Sequence, residues 1–458
     1  MDIKDSIEED YNPFEHRNVK KPNSDIRSLA NLIKASLGSG LLAIPLAFAN
    51  SGWVLGIVCT VIIAFICCHC VYIFVQTSHG CCRVVRKPLL GYAETCQVQT
   101  SHGCCRVVRK PLLGYAETCQ VAFQVGPKQI RPYAKWASIF AEFSLVFTYV
   151  GVCCIFTVLI ADSIKQIFDR YVTTVDLPVE YYCLILLIPL CLMCQIRYLK
   201  WLAPFSLLAN ILLVATFAIC LYYIFKDEIN FADKKLIGDG ARFPVFLSTV
   251  IFAMEGMGVV MPVENSMKKP QHFLGWGGVL VIAMTLIMLL YTTLGLFGYF
   301  RYGDALRGSI TLNLPIDDWP AICAKVFIAL SILFTYPLHF YVVLDIFTKY
   351  TEPHIKENYK SITQIVARIA VVCFSGGIGI ALPMLEQIIN IVGAFFYSIL
   401  GLIIPGIIET VFRWENLGKY NWILWKNILI ILFGLGSLIS GCIVTVFDII
   451  EKLNSKIE

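Results

Sequence analysis

Six ionisable side chains stand inside stretches of the chain that are otherwise apolar: Lys34, Glu142, Glu255, Glu264, His339 and Asp345. A charge in so apolar a setting is costly, so each is a candidate for moving an ion or holding a charged substrate unless a neighbour pairs with it. Two of them accompany an interrupted helix pattern. Lys34 opens the run KASLGSGLLAIP, in which Gly38, Ser39 and Gly40 break an apolar helix and Pro45 follows. Glu255 stands in the run from Phe252 to Pro262, FAMEGMGVVMP, again with two glycines at spacing two, Gly256 and Gly258, and a proline shortly after.

Unwound backbone at membrane depth is tolerated only where protein covers it or a cavity takes it up, because each unpaired N–H or C=O costs several kcal/mol in lipid. Two broken helices at corresponding places in two halves of a chain therefore describe a binding site. The N-termini of the half-helices offer positive dipole ends to a carboxylate, and the freed carbonyls suit a cation or an ammonium. An amino acid carries both charges. Either Gly-x-Gly alone fits a small-residue helix-packing contact equally well.

The remaining groups have plainer readings beside the functional one. Lys34, Glu264 and Asp345 suit pairing within the scaffold or snorkelling, and His339 suits a satisfied position between helices. In Cys67-Cys68-His69-Cys70 neighbouring side chains point about 100° apart on a helix, so at most Cys67 and Cys70 could share a metal, and neither a metal nor a cofactor is expected. No Ser/His/Asp set, phosphate loop or redox pair supports an enzyme.

The elements that hold these residues are membrane spans. Of 458 residues 57% are apolar and 15% charged, a balance that a soluble domain of this size does not keep in water. Windows of about 20 apolar residues fall at 28–49, 53–76, 136–161, 181–196, 201–225, 243–263, 276–300, 320–347, 364–382, 385–408 and 422–447. The fold class is thus all-α and polytopic, with eleven spans in one membrane domain over 28–450, preceded by an acidic tail, 1–27, with no signal-peptide pattern. Placing that tail in the cytosol gives the inner loops roughly twice the Lys/Arg of the outer ones. The net charge of +5 resides in those short loops, which excludes a nucleic-acid face. The nineteen cysteines lie mostly within apolar runs and are expected as free thiols.

Gln76–Val98 is followed at once by an identical copy, Gln99–Val121. The segment 76–121 reads as a basic cytosolic loop enlarged by a recent duplication, without a part in the mechanism. Cys81 and Cys82 beside Arg83, Arg86 and Lys87 form the setting in which S-acylation occurs. Tyr11-Asn-Pro-Phe14 fits a tyrosine sorting signal and an Asn-Pro-Phe adaptor motif.

Six ordered motifs are similar to those of the amino acid/auxin permease family, and within it the proton-assisted amino acid transporters, especially insect members. They are KASLGSGLLAIP from Lys34, GVCCIFTVLIADSIKQ from Gly151, IRYLKWLAPFSLLAN from Ile196, IFAMEGMGVVMPVENSMKKP from Ile251, GSITLNLP from Gly308 and FTYPLHFYV from Phe334. The resemblance implies a LeuT-like fold with inverted repeats over 28–225 and 243–409, an eleventh helix at 422–447, and broken helices one and six. It implies a substrate site of Ser36, Gly38, Ser39, Gly40, Phe252, Gly256 and Gly258, acting mostly through backbone. The cargo so implied is small neutral amino acids, moved by alternating access with protons as a candidate partner ion, in the plasma membrane or an endosomal or lysosomal one. A sensor of the same fold with slow or no net transport is the alternative.

Two positions depart from the family. Asn31 stands where proton-assisted members are expected to have a histidine, and asparagine does not titrate near neutral pH. Asn31, Glu142 and Glu255 are therefore the candidates for coupling or gating, with Glu142 or Glu255 left to carry a proton. After the NLP motif come Ile316, Asp317 and Asp318 in place of an outer-loop cysteine, so no disulfide is expected there.

Overall fold

Backbone surrounded by hydrocarbon must satisfy its N–H and C=O groups within itself, which turns long apolar runs into helices. The computed structural model of the chain describes Phe14, Arg17 and residues 22–36, 38–84, 112–171, 177–196, 199–228, 234–254, 256–351 and 354–457. Its elements are α1 (Asp25–Ser36), α2 (Ser39–Ser51), α3 (Trp53–Val84), α4 (Tyr115–Val125), α5 (Ala134–Tyr171), α6 (Val179–Cys194), α7 (Leu199–Phe225), α8 (Phe243–Met254), α9 (Met257–Asn265), α10 (Val279–Tyr302), α11 (Trp319–Thr351), α12 (Glu357–Ala381), α13 (Leu385–Phe412) and α14 (Trp422–Ile457). Among the described residues there is no strand, only an isolated bridge between Asn23 and Met267. Among the described residues nine helices are long and apolar enough to cross a membrane, ten with the bent pair α1 and α2 counted as one. The sixteen-residue α6 is apolar but falls short of that length. Each of the eleven apolar windows falls on one of these helices.

Burial separates an inner set from an outer one. The apolar stretch of α5 is buried over 78% of its length, whereas those of α7 and α14 are buried over 28%. Outward faces carry Phe65, Ile188, Leu192 and Phe447, each at least two-thirds exposed. Apolar surface on that scale belongs against lipid. The inner set encloses the two broken helices, so the breaks are covered by protein.

The loops at one end are tied by charge. Asp317 pairs with Arg170 at 2.7 Å. Asp318 accepts from Lys226 Nζ at 3.2 Å and from the Tyr223 hydroxyl at 3.0 Å, and these bonds hold its carboxyl below the usual carboxylate range. The two acids after Pro315 thus fasten the ends of α5 and α7 to the start of α11. All cysteines among the described residues are free.

The reading of 76–121 as a loop requires correction. Gln76–Val84 continues α3 as helix, and Tyr115–Val121 lies in α4. The described residues therefore take the first part of one copy and the last part of the other, which pack on each other. Thr118 Oγ1 donates to Ser78 Oγ at 3.0 Å, and Phe74 stacks on Tyr115 at 4.3 Å. Cys81 and Cys82 are 0% and 1% exposed; acylation there is ruled out by access, because the helix turns both thiols toward α4 and away from lipid. Of the sorting motif, Tyr11, Asn12 and Pro13 lie outside the described residues, as does residue range 85–111.

Deleting Gln76–Val98 restores a single copy, keeps every contact just named and leaves Val-Arg-Lys-Pro to join α3 to the start of the α4 segment. The variant is expected to fold with stability unchanged or raised by up to about 2 kcal/mol, the loop-closure entropy saved by the shorter connection. Thermal unfolding followed by size-exclusion fluorescence measures it.

Candidate functional site

The two breaks meet in the middle of the bundle. Helix α1 ends at Ser36, α2 restarts at Ser39, and the axes differ by 52°. Gly38 donates its N–H to the Ser36 carbonyl at 2.9 Å, a local bond that replaces the helical ladder. In the other half α8 ends at Met254 and α9 restarts at Met257, with the Gly256 carbonyl accepting from the N–H groups of Val259 and Val260 at 2.9 and 3.1 Å. Each break leaves carbonyls at one end and N–H groups at the other.

One side chain serves carbonyls of both breaks. The hydroxyl of Tyr291, on α10 and fully buried, lies 2.5 Å from the Ser36 carbonyl and 2.9 Å from the Ala253 carbonyl. The single O–H is shared between the C-terminal ends of α1 and α8, the negative ends of both half-helices. Sequence reading did not single Tyr291 out. It is one of 21 tyrosines and stands in an ordinary apolar helix.

The predicted site residues divide by their surroundings. At Gly38 an added methyl would meet nothing within 4 Å among the described residues, and at Gly256 its nearest neighbours would be Ser36 Oγ at 3.5 Å and Leu32 at 3.9 Å, an ordinary van der Waals fit. A small side chain would find room at both positions. Gly40 is different, since a methyl there would come within 2.7 Å of the Ala253 Cα. Here the glycine lets α2 and α8 touch. Gly258 faces the Tyr149 hydroxyl of α5, which occupies the room a side chain would need. Ser39 is buried, and Phe252 is buried edge-on to Tyr397 at 5.7 Å.

Of the coupling candidates, Glu142 lies away from the breaks. Glu142 accepts from Lys349 Nζ and the Tyr350 hydroxyl at the end of α11, two turns along α5 from Tyr149. Asn31 is half-buried on α1, and Glu255 lies outside the described residues. Lys34 donates to the Oγ and the carbonyl of Ser206 on α7. His339, on α11, lies beside Tyr149 and Phe156, at 5.7 and 5.1 Å between rings, and Asp345 is exposed. Among the described residues no group of three His, Cys, Asp or Glu is placed to hold a metal.

Glu264, at the end of α9, is fully buried, and its Oε1 is shared by Arg17 Nη1 at 2.9 Å and His79 Nε2 at 2.8 Å. The segment before α1 is stitched to the segment after α9: Asn23 N donates to the Ser266 carbonyl at 2.7 Å, Lys268 N donates to the Asn23 carbonyl at 2.9 Å, and His272 pairs with Asp25 at 2.7 Å. The half-helix before the first break, α1, and the half-helix after the second, α9, are thereby joined at their outer ends.

Comparison with known proteins identifies the family. The family model for transmembrane amino acid transporter proteins matches residues 21–447. The chain is 38% identical over 450 residues to the Drosophila melanogaster protein named proton-coupled amino acid transporter-like protein pathetic, covering 97% of this chain and 89% of that one. It is 25% identical over 409 residues to vacuolar amino acid transporter 4 of Saccharomyces cerevisiae, covering 85% of this chain and 48% of the yeast protein.

Two substitutions probe the site. Tyr291→Phe removes the one proton that serves both carbonyls and is expected to lower stability by about 1–3 kcal/mol, the cost of buried acceptors left unpaired; thermal unfolding in detergent reads it. Gly40→Ala forces α2 off α8 and is expected to cost about 1–3 kcal/mol by overpacking, whereas Gly38→Ala is expected to unfold at the wild-type temperature.

Proposed function

Because this chain belongs to the transmembrane amino acid transporter family, we propose that it carries small neutral amino acids across its membrane by alternating access, with protons moving alongside. It is a multi-pass membrane protein of a transporter family, and the finer reading rests on the breaks. The N–H ends of α2 and α9 suit an α-carboxylate, and the carbonyl ends of α1 and α8 suit an α-ammonium. The observation that carries the reading is Tyr291, which ties the carbonyl ends of both half-helices together and so sets the two breaks at one depth.

Size selection follows from the same glycines. Gly38 and Gly256 leave room for a methyl and little more that the described residues show, while the space at Gly40 and Gly258 is already filled by Ala253 and Tyr149. The room left is suited to glycine, alanine or proline more than to a large side chain. Proton coupling is supported by the printed name of the Drosophila relative, and a vacuolar membrane by that of the yeast one. The excess of Lys and Arg in alternate loops favours a cytosolic N-terminus, and the inverted-repeat arrangement implied by the family motifs accounts for two breaks five spans apart.

Purified full-length protein in liposomes, given each of the twenty amino acids with and without an inward proton gradient, tests this directly. Uptake of glycine, alanine and proline, stimulated by the gradient and at least about tenfold above that of tryptophan and arginine, is the expected result. Substrate-dependent thermal stabilisation without uptake would establish a sensor instead, and uptake indifferent to the gradient would remove the proton.

A further inference from the structure

Among the described residues at the breaks, Lys34 is a charge without a counter-charge. It lies in the last turn of α1, two residues before the break, and its polar contacts among the described residues go to neutral groups: Ser206 Oγ and the Ser206 carbonyl, the latter at 3.4 Å. Three buried carboxylates, by contrast, have charged partners. Glu264 has Arg17 and His79, Glu142 has Lys349, and Glu409 has Lys426 at 2.7 Å. A hydroxyl and a carbonyl accept hydrogen bonds from an ammonium, more strongly, and also from a neutral amine. Lys34 therefore keeps partners in either protonation state, and as an ammonium it has no carboxylate among the described residues to offset the hydration it loses on partial burial.

The ionisable groups facing α1 from the elements packed on it are few among the described residues. On α10 there is Tyr291, bonded to the Ser36 carbonyl. On α9 there is Glu264, engaged by Arg17 and His79. On α11 there is His339, within electrostatic reach of Lys34 and beside the Tyr149 ring whose hydroxyl presses on Gly258. On α7 the partner is the hydroxyl of Ser206.

We propose that Lys34 is the proton-carrying residue of the transport cycle, taking over the task that Asn31, one turn earlier on the same half-helix, cannot perform. Its amine takes up a proton when the site is open to the far side, forming the ammonium. It releases that proton to water on the N-terminal side when α1 moves, breaking the bond to Ser206. Because α1 also holds the Ser36 carbonyl at the substrate site, protonation and substrate release act on one rigid element. The proposal rests on the proton-coupled reading above.

The test uses full-length protein in liposomes, wild type against Lys34→Gln and Lys34→Arg, with a mixture of labelled glycine, alanine and proline. With the lumen one pH unit more alkaline, the wild type is expected to accumulate label about tenfold, the limit for one proton per substrate. Both variants are expected to stay near equilibrium while tracer counterflow at equal pH continues at a measurable rate, because exchange needs no net proton movement. Accumulation by Lys34→Gln equal to wild type would overturn the assignment alone. Monodisperse variants that had lost counterflow along with accumulation would make Lys34 a scaffold residue and overturn it too. Wild-type counterflow without accumulation would defeat the proton-coupled reading itself.

Discussion

Carbonyls freed in the middle of a membrane have to find a donor, and the Tyr291 hydroxyl between Ser36 and Ala253 is the donor that both breaks depend on. In water the ends of four half-helices would be hydrated at little cost. In hydrocarbon each unpaired group costs several kcal/mol. The breaks persist because buried elements surround them, because Gly40 lets α2 and α8 approach to backbone contact, and because one phenol answers two carbonyls. What remains unanswered, chiefly N–H groups at the starts of α2 and α9, is the capacity left for a ligand.

A single hydroxyl cannot serve two acceptors fully. Movement of α1 away from α8 would give its proton to one carbonyl and leave the other to substrate or water. The stitching of Asn23 to Ser266 and Lys268, together with the shared Glu264 carboxylate, joins α1 to α9, so those two half-helices are built to shift together. Alternating access on this account is a movement of one joined pair against a scaffold of α5, α11 and α13, with the loop acids Asp317 and Asp318 holding the opposite ends in place.

Much of this was legible from residue types. Long apolar runs report a bilayer, and Gly38, Gly40, Gly256 and Gly258 report two breaks, because spacing along one chain suffices for both inferences. The division of labour among those glycines was not legible. Whether a glycine borders space, as Gly38 does, or admits a neighbouring helix, as Gly40 does, depends on contacts between segments some two hundred residues apart. Tyr291 was hidden for the same reason. The partners of Glu142, Lys349 and Tyr350, and the partner of Lys34, Ser206, were hidden because each is distant in sequence. The segment 76–84 looked like loop because its basic and cysteine-rich composition masks a helix that ends against α4.

The central claim is that an amino acid occupies the space between the two breaks, its carboxylate on the N–H ends of α2 and α9 and its ammonium on the carbonyl ends that Tyr291 ties together. Determining the structure of the full-length protein by electron microscopy with alanine bound tests it most directly. The account predicts ligand density between Gly38 and Gly256, with the carboxylate within hydrogen-bond reach of N–H groups at the starts of α2 and α9. Density at any other place in the bundle, with that space closed or filled by protein, would contradict it.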